Sequence, residues 1–169
     1  MDLLGGLAEL GRRLLVAVGL ITLVNVGFEA AAWRQLAPDR GRLEVTLSGA
    51  VSGDLLVLVG NAVPVVLEVT ATAYLPGGRR QAQTRRHSLA YRGLDRSFVV
   101  DSNGRESRHD DLGGAIAAVQ RFTFEFEGVL PGSIVLRAVL RLPTIADPAA
   151  PGRLWQGREP SLVFEPGRP

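Results

Sequence analysis

The chain has 169 residues, of which 46% are hydrophobic and 21% charged, a balance that predicts one folded domain and excludes a disordered polar chain. All 19 basic residues are arginine, yet the net charge is only +2, which argues against a nucleic-acid-binding protein. The sequence has no cysteine, which excludes disulfide bonds, thiolate metal sites and a catalytic cysteine.

The N-terminal segment has the three parts of a secretory signal. Arg12 and Arg13 precede an apolar run over Leu14–Phe28, and small residues follow at Ala30–Ala32, just before Trp33. The run of about 15 residues is shorter than the roughly 20 that a helix needs to cross a bilayer. The pattern therefore favours a signal peptide.

This pattern sets the predicted domain organisation. We predict a signal peptide or membrane anchor over residues 1–32, a linker over 33–41 and the folded domain over 42–169. Two alternatives stay open. One is a retained anchor over residues 14–33, with a helix that extends to a Trp33 indole at the membrane interface. The other is a helix buried in the core.

Beyond Arg40, several segments alternate apolar and polar residues with the period of a strand. Turn sequences separate them at Pro76–Gly78, Arg92–Asp95, Ser102–Gly104 and Leu130–Gly132. We expect an antiparallel β-sandwich with an immunoglobulin-like layout and one short helix, preceded by the N-terminal hydrophobic helix. The predicted inward-facing residues are Leu43, Val45 and Leu47; Val65, Leu67, Val69, Ala71 and Ala73; Phe122, Phe124 and Phe126; Leu136, Ala138, Leu140 and Leu142; and Leu162 and Phe164.

The short helix is predicted to start at Ser107 or His109, where Asp110 and Asp111 suit the positive end of a helix dipole. Its apolar face would carry Leu112, Ile116 and Val119. A second segment, "GDLLVLVGNAVP", is typical either of a strand or of a short helical turn that ends at Gly60. The tail from Pro143 to Pro160 is a loop or an ordered wrap that Trp155 would hold against the sheet.

The polar residues form no recognisable catalytic pattern, so we predict no catalytic residue, no metal site and no cofactor. His109, Asp110 and Asp111, with His87 or Asp101 in support, are the strongest metal candidates, but neighbouring helix residues point in different directions. "DSNGRE" at Asp101 lacks the later ligands of a calcium loop and predicts a hairpin turn. No Gly-x-Ser-x-Gly motif of a serine hydrolase occurs.

Two strand faces have a second interpretation. Glu125 and Glu127 share one strand face and are expected to be solvated rather than to act as a carboxylate pair. The phenylalanines Phe122, Phe124 and Phe126 would line a ligand pocket between the sheets, but a packed core is the default for such residues.

A basic cluster, "GGRRQAQTRRH", contains Arg79, Arg80, Arg85 and Arg86. These four arginines are the predicted surface-contact residues, and anionic lipid headgroups are their candidate partner. The alternative is a charged edge hairpin that blocks sheet-to-sheet aggregation, and this simpler interpretation is favoured.

The order of segments resembles the bacterial family catalogued as domain of unknown function 4390. The resemblance is carried by "GNAVPVVLEVTATAY", "HSLAYRGLDRSFVV", "DLGGAIAAV", "VLRAVLRL" and a late Trp155, and it spans roughly Leu43 to Glu165. "SLAYRGLDRSFVV" looks like that family's strand-turn-strand signature, whereas the sequence after Arg141 departs from the pattern. The resemblance implies an exported or membrane-anchored protein with an extracytoplasmic β-rich domain, and it implies no reaction.

We therefore expect an exported envelope protein, periplasmic or secreted, whose non-enzymatic β-domain binds or scaffolds a protein partner that the sequence does not identify. A first alternative is a membrane-tethered accessory module of a signalling or envelope-biogenesis complex, with the N-terminal segment retained. A second alternative is a metal-dependent or hydrolytic enzyme.

Overall fold

The computed structural model describes residues 26–128, 131–142 and 159–166. Within these ranges the chain forms nine strands, two α-helices and a 3₁₀ turn at Pro76–Gly78. The elements are β1 (Gly27–Ala37), β2 (Arg40–Ser48), α1 (Asp54–Gly60), β3 (Val65–Tyr74), β4 (Arg80–Arg92), β5 (Ser97–Ser102), β6 (Arg105–His109), α2 (Leu112–Val119), β7 (Arg121–Glu127), β8 (Ser133–Arg141) and β9 (Ser161–Phe164).

The strands form two antiparallel sheets that enclose one core. The smaller sheet has the order β1-β2-β7, and the larger has the order β6-β5-β4-β3-β8-β9. Every pair of neighbouring strands is antiparallel. The predicted mainly β sandwich is confirmed, and the division into three and six strands is a feature that residue alternation alone does not specify.

The alternation of residue types produces the core as predicted. In β7 the side chains of Phe122, Phe124 and Phe126 are buried, whereas Arg121 and Glu125 between and beside them are exposed. The predicted inward residues of β2, β3 and β8 are buried as well, and Leu142 joins them. In β9 Leu162 and Phe164 are only partly buried and pack against this core.

Strand β1 differs most from the prediction. Gly27–Ala37 pairs along its length with β2, so the predicted linker at residues 33–41 is the end of β1, the turn and the start of β2. The alternative in which an N-terminal helix extends to Trp33 is contradicted for the same reason. The Trp33 ring instead packs over Gly41 and stacks on Phe126 at 6.5 Å.

A β-bulge explains why this strand is hard to recognise in the sequence. The register shifts between Phe28 and Ala30, so Phe28, Ala31 and Trp33 contact the core at uneven spacing. The rest of the predicted N-terminal segment, residues 1–25, lies outside the described residues. In the described ranges we find no helix with the length and apolarity needed to span a membrane.

The two helices resolve one open prediction and correct another. The ambiguous segment forms α1, which ends at Gly60. The predicted start of the other helix at Ser107 or His109 is wrong, because Arg105–His109 pairs with β5 as strand β6. Helix α2 begins at Leu112, and the Asp111 carboxylate caps it by accepting the Gly114 N–H at 2.7 Å.

The predicted apolar face of the helix is confirmed, whereas the prediction for the tail is not tested. Val119 of the predicted apolar face is fully buried, and Leu112 and Ile116 pack against the core. The predicted wrap of the tail and its Trp155 lie outside the described residues.

Candidate functional site

The four predicted surface arginines do not form one surface. Successive residues of a strand point to opposite faces, so Arg80 and Arg86 lie on the outer face of β4 and Arg85 lies on its inner face. Arg79 precedes β4 at the turn, and it is exposed together with Arg80 and Arg86. Arg85 is half-buried between the two sheets.

The inner face of β4 covers the open edge of the smaller sheet. Gln81 donates from Nε2 to the Glu127 carbonyl at 2.8 Å, and Gln83 donates in the same way to the Glu125 carbonyl. Arg85 donates from Nε to the Thr123 carbonyl at 3.2 Å. Among the described strands, β7 is paired on one side by β2 and on the other by none, so these side chains satisfy carbonyls that would otherwise face solvent or another chain.

Three arginines line one surface pocket of about 510 Å³, which we call the arginine pocket: Arg85 from β4, Arg105 from β6 and Arg121 from β7. Strand pairing explains why Arg85 and Arg105 lie close together, because Ser102 of β5 lies opposite both His87 of β4 and Arg105 of β6. Arg121 comes from the other sheet, at the start of β7. His87, Ser102, Asn103 and Thr123 complete the lining, and no carboxylate of the described chain is among these residues.

Arg85 is held in place while the other two arginines are not. Besides its bond to Thr123, it donates from Nη2 to Gln83 Oε1 at 3.3 Å, and its guanidinium carbon lies 6.0 Å from the centre of the Phe124 ring. Arg105 and Arg121 are exposed and form no ion pair with any residue that the structure describes. The pocket therefore combines one oriented guanidinium with two adaptable ones.

Two acidic side chains that lie close in sequence to the lining residues form their hydrogen bonds and ion pair with groups outside the pocket. Glu125 forms an ion pair with Arg42 at 2.6 Å, and the hydrogen bond and charge of Arg42 hold the pKa of Glu125 below its ordinary value. Asp101 Oδ1 accepts the Gly104 N–H at 2.6 Å in the turn between β5 and β6. Among the described residues, no carboxylate forms an ion pair with an arginine of this pocket.

His87 forms the floor of the arginine pocket as a neutral ring. It is 5% exposed and stacks on Phe122 with ring centroids 4.2 Å apart. Its Nδ1 lies 3.1 Å from the Val119 carbonyl, which only accepts, so Nδ1 carries the hydrogen. Burial lowers the pKa of His87, although the bond to Val119 and the charge of Asp101 oppose this effect.

The residues considered for metal binding serve other purposes. His109 ends strand β6, Asp111 caps α2, and His87 lies on β4 with its Nδ1 bonded to Val119. Across the described ranges, no three His, Asp or Glu side chains are grouped so that they could hold a metal ion. "DSNGRE" forms the predicted hairpin turn between β5 and β6.

One serine and histidine do meet. Ser107 Oγ lies 3.1 Å from His109 Nε2 on the polar edge strand β6. The pair lacks the acid that orients a catalytic histidine, because no carboxylate of the described residues bonds its other ring nitrogen, and Asp111 is already bonded to Gly114. It is an ordinary surface hydrogen bond at i, i+2 on one strand face.

The arginine pocket was only partly accessible to sequence reasoning. Arg85 belongs to the predicted cluster, but Arg105 and Arg121 were not selected, since each is an isolated arginine next to a turn or a strand start. A second pocket of about 680 Å³ on the outer face contains Arg80 and Arg137, but it also contains Glu159. The arginine pocket is therefore the stronger candidate for an anionic ligand.

Comparison of the chain with family models, curated proteins and solved structures finds no match. The resemblance to domain of unknown function 4390 accordingly stays a prediction. The fold and the arginine pocket are the observations from which function is argued.

Proposed function

We propose that this chain is a non-enzymatic binding domain of the cell envelope, tethered to a membrane by its N-terminal segment, and that the arginine pocket binds an anionic ligand. The observation that carries the binding proposal is the convergence of Arg85, Arg105 and Arg121 on one pocket that no carboxylate of the described residues lines. The domain is extracytoplasmic in this proposal, as the export-like N-terminus indicates.

The chemistry of the lining favours phosphate over other anions. A guanidinium offers paired N–H donors that match two oxygens of one phosphate group, and such charge-assisted bonds are the strong ones. Asn103 and Ser102 add neutral polar groups at the same pocket. His87 stays neutral at physiological pH because burial lowers its pKa, so it contributes a polar floor rather than charge.

Strand β1 supports a tether rather than a cleaved signal. Cleavage between Ala32 and Trp33 would remove Gly27–Ala32, and these residues pair with the second half of β2. The same cut would remove Phe28 and Ala31, which pack against the core. A chain retained through this region keeps the strand whole and keeps the apolar segment attached, as the membrane-tethered alternative requires.

The proposal leaves out catalysis because three acidic groups of the described residues already have structural partners. Asp111 caps a helix, Glu125 pairs with Arg42, and Glu68 pairs with Arg141 at 2.5 Å. A general acid or base must be within reach of a substrate atom and poised in pKa. The arginine pocket contains no carboxylate from the described residues to perform this role.

Binding is tested by titrating the full-length protein, held in a non-ionic detergent, with inorganic pyrophosphate in a calorimeter. We expect saturable binding that weakens about tenfold or more in Arg105→Gln/Arg121→Gln, since hydrogen bonds to charged groups contribute about 1.5–3 kcal/mol each. The matched control, Arg79→Gln/Arg80→Gln, removes the same charge outside the pocket and is expected to keep the affinity. Absence of binding, or equal weakening in both variants, would overturn the proposal.

A further inference from the structure

The turn between β4 and β5 presents an apolar side chain at its tip. Leu94 is fully exposed in the four-residue turn Gly93–Arg96, whereas the residues that flank the turn are paired between strands. A single exposed leucine is common on protein surfaces and carries no meaning by itself. Leu94 is of interest because of the end of the domain at which it lies.

This tip lies at the end of the domain where the N-terminal segment enters. Gly27 pairs with Ser48, so β1 begins where β2 ends. The start of β7 lies at this same end, because Arg121 pairs with Thr46. Phe122 then stacks on His87, from which β4 runs five further residues to Arg92 and the turn.

Two surface ion pairs link the tip to the neighbouring strand β6. Arg92 pairs with Glu106 at 3.1 Å, and Arg108 pairs with Asp95 at 3.4 Å, so both sides of the turn are linked to β6. Arg96 is exposed, has φ of 50° and forms no ion pair with a described residue. The tip therefore presents one leucine and one unpaired cation, a combination that suits the interface of an anionic membrane.

The length of the N-terminal segment explains why a second contact is needed. Val26 and Phe28 pack against the domain core, which leaves residues 14–25 as the uncharged stretch ahead of the sheet. These about 12 residues are fewer than the roughly 20 of a spanning helix. Binding of such an interfacial element strengthens with the apolar area that enters the bilayer and with basic residues near anionic lipid, so a second contact adds to its attachment.

We infer that the Leu94 tip is a second membrane contact, which enters the interfacial region of the bilayer that holds the N-terminal segment. The inference rests on the tether that we propose above and adds the orientation of the domain. The end with Gly27 and Leu94 faces the lipid, and the β3–β4 turn at Pro76–Gly78 points away.

The absence of native cysteine makes a direct test simple. Leu94→Cys and, as the matched control, Ala82→Cys are each labelled with an environment-sensitive fluorophore in the full-length protein. Ala82 is exposed and lies ten residues before Arg92 on β4, about 33 Å away along the strand. Each protein is reconstituted with vesicles of phosphatidylethanolamine and phosphatidylglycerol that contain a lipid quencher near the headgroup.

We expect a blue shift and strong quenching at position 94 and neither effect at position 82. Equal signals at the two positions, in protein that floats with the vesicles, would overturn the inference while leaving the tether intact. Protein that fails to float would instead contradict the tether itself, so the two failures are distinguishable. Replacement of the anionic lipid by a zwitterionic one is expected to reduce the signal at position 94, because Arg96 then loses its attraction.

Discussion

The two faces of β4 contain similar polar residues that have different environments. On the inner face Gln81, Gln83 and Arg85 bond to the backbone of β7, and His87 closes the series in the core. On the outer face Arg80 and Arg86 are exposed, and their side chains make no ion pair with a described residue. Arg85 and Arg86 are neighbours in sequence, yet one is a fixed structural donor and the other is a solvated charge.

This difference shows how a small sheet can be protected without a further strand. In the part of the chain that the structure describes, the smaller sheet ends at β7, and an unpaired strand edge is a template for association with other chains. Here a polar strand face supplies side-chain donors in place of a neighbouring backbone. The arginine pocket lies at the end of this same series, so the elements that join the sheets also position Arg85 for a ligand.

The largest effect is expected from removing the donors of the inner face. Gln81→Ala/Gln83→Ala leaves two carbonyls of β7 without their partners, and we expect a loss of about 1–3 kcal/mol in the free energy of unfolding. Arg80→Ala/Arg86→Ala on the outer face is expected to stay within about 0.5 kcal/mol of the wild type. Urea unfolding of both variants measures the contrast, and equal losses would show that the two faces do not differ.

A smaller, pH-dependent effect is expected from His87. Burial lowers its pKa from 6.5, so below pH 6.5 the unfolded chain takes up a proton that the folded chain does not. Stability is therefore unaffected by His87 above that pH and falls as the pH decreases, with a limiting slope of about 1.4 kcal/mol per pH unit, until the folded ring is itself protonated. Asp101 and Arg85 are the charged groups that act on this ring, in opposite directions.

Two variants isolate this contribution. His87→Leu is expected to lose the slope just below pH 6.5, and His109→Ala, which changes the other histidine, is expected to keep it. Unfolding free energies measured across pH 5 to 7 would contradict the account if the slope were lost in His109→Ala instead.

The alternation of residues was sufficient to predict the core faces of β2, β3, β7 and β8, because a half-buried strand imposes a period of two on its sequence. It was insufficient for β1, where the bulge near Phe28 breaks that period and the apolar run suggests a helix. It was insufficient for β6 as well, because Arg105–His109 is a mostly exposed edge strand without apolar residues. A local sequence pattern does not specify a β-bulge or the position of a strand at the edge of a sheet.

The arginine pocket could be predicted only at Arg85, for a related reason. Arg85, Arg105 and Arg121 lie on three strands of two sheets, and their meeting depends on strand order and on how the sheets pack. The sequence separates Arg85 from Arg121 and places Arg85 beside Arg86, which faces the other way. The cluster predicted from closeness in sequence therefore does not form one surface, because Arg85 and Arg86 lie on opposite faces of β4.

The most direct test of the central claim, that the N-terminal segment and β1 remain one unit in the mature protein, is the N-terminal sequence of that protein. A chain with a C-terminal tag is expressed in a bacterium, purified from whole cells solubilised in detergent and sequenced from its N-terminus. We predict a mature chain that still contains Gly27–Ala32 and the apolar residues ahead of them. A mature chain that begins at Trp33 would contradict the account.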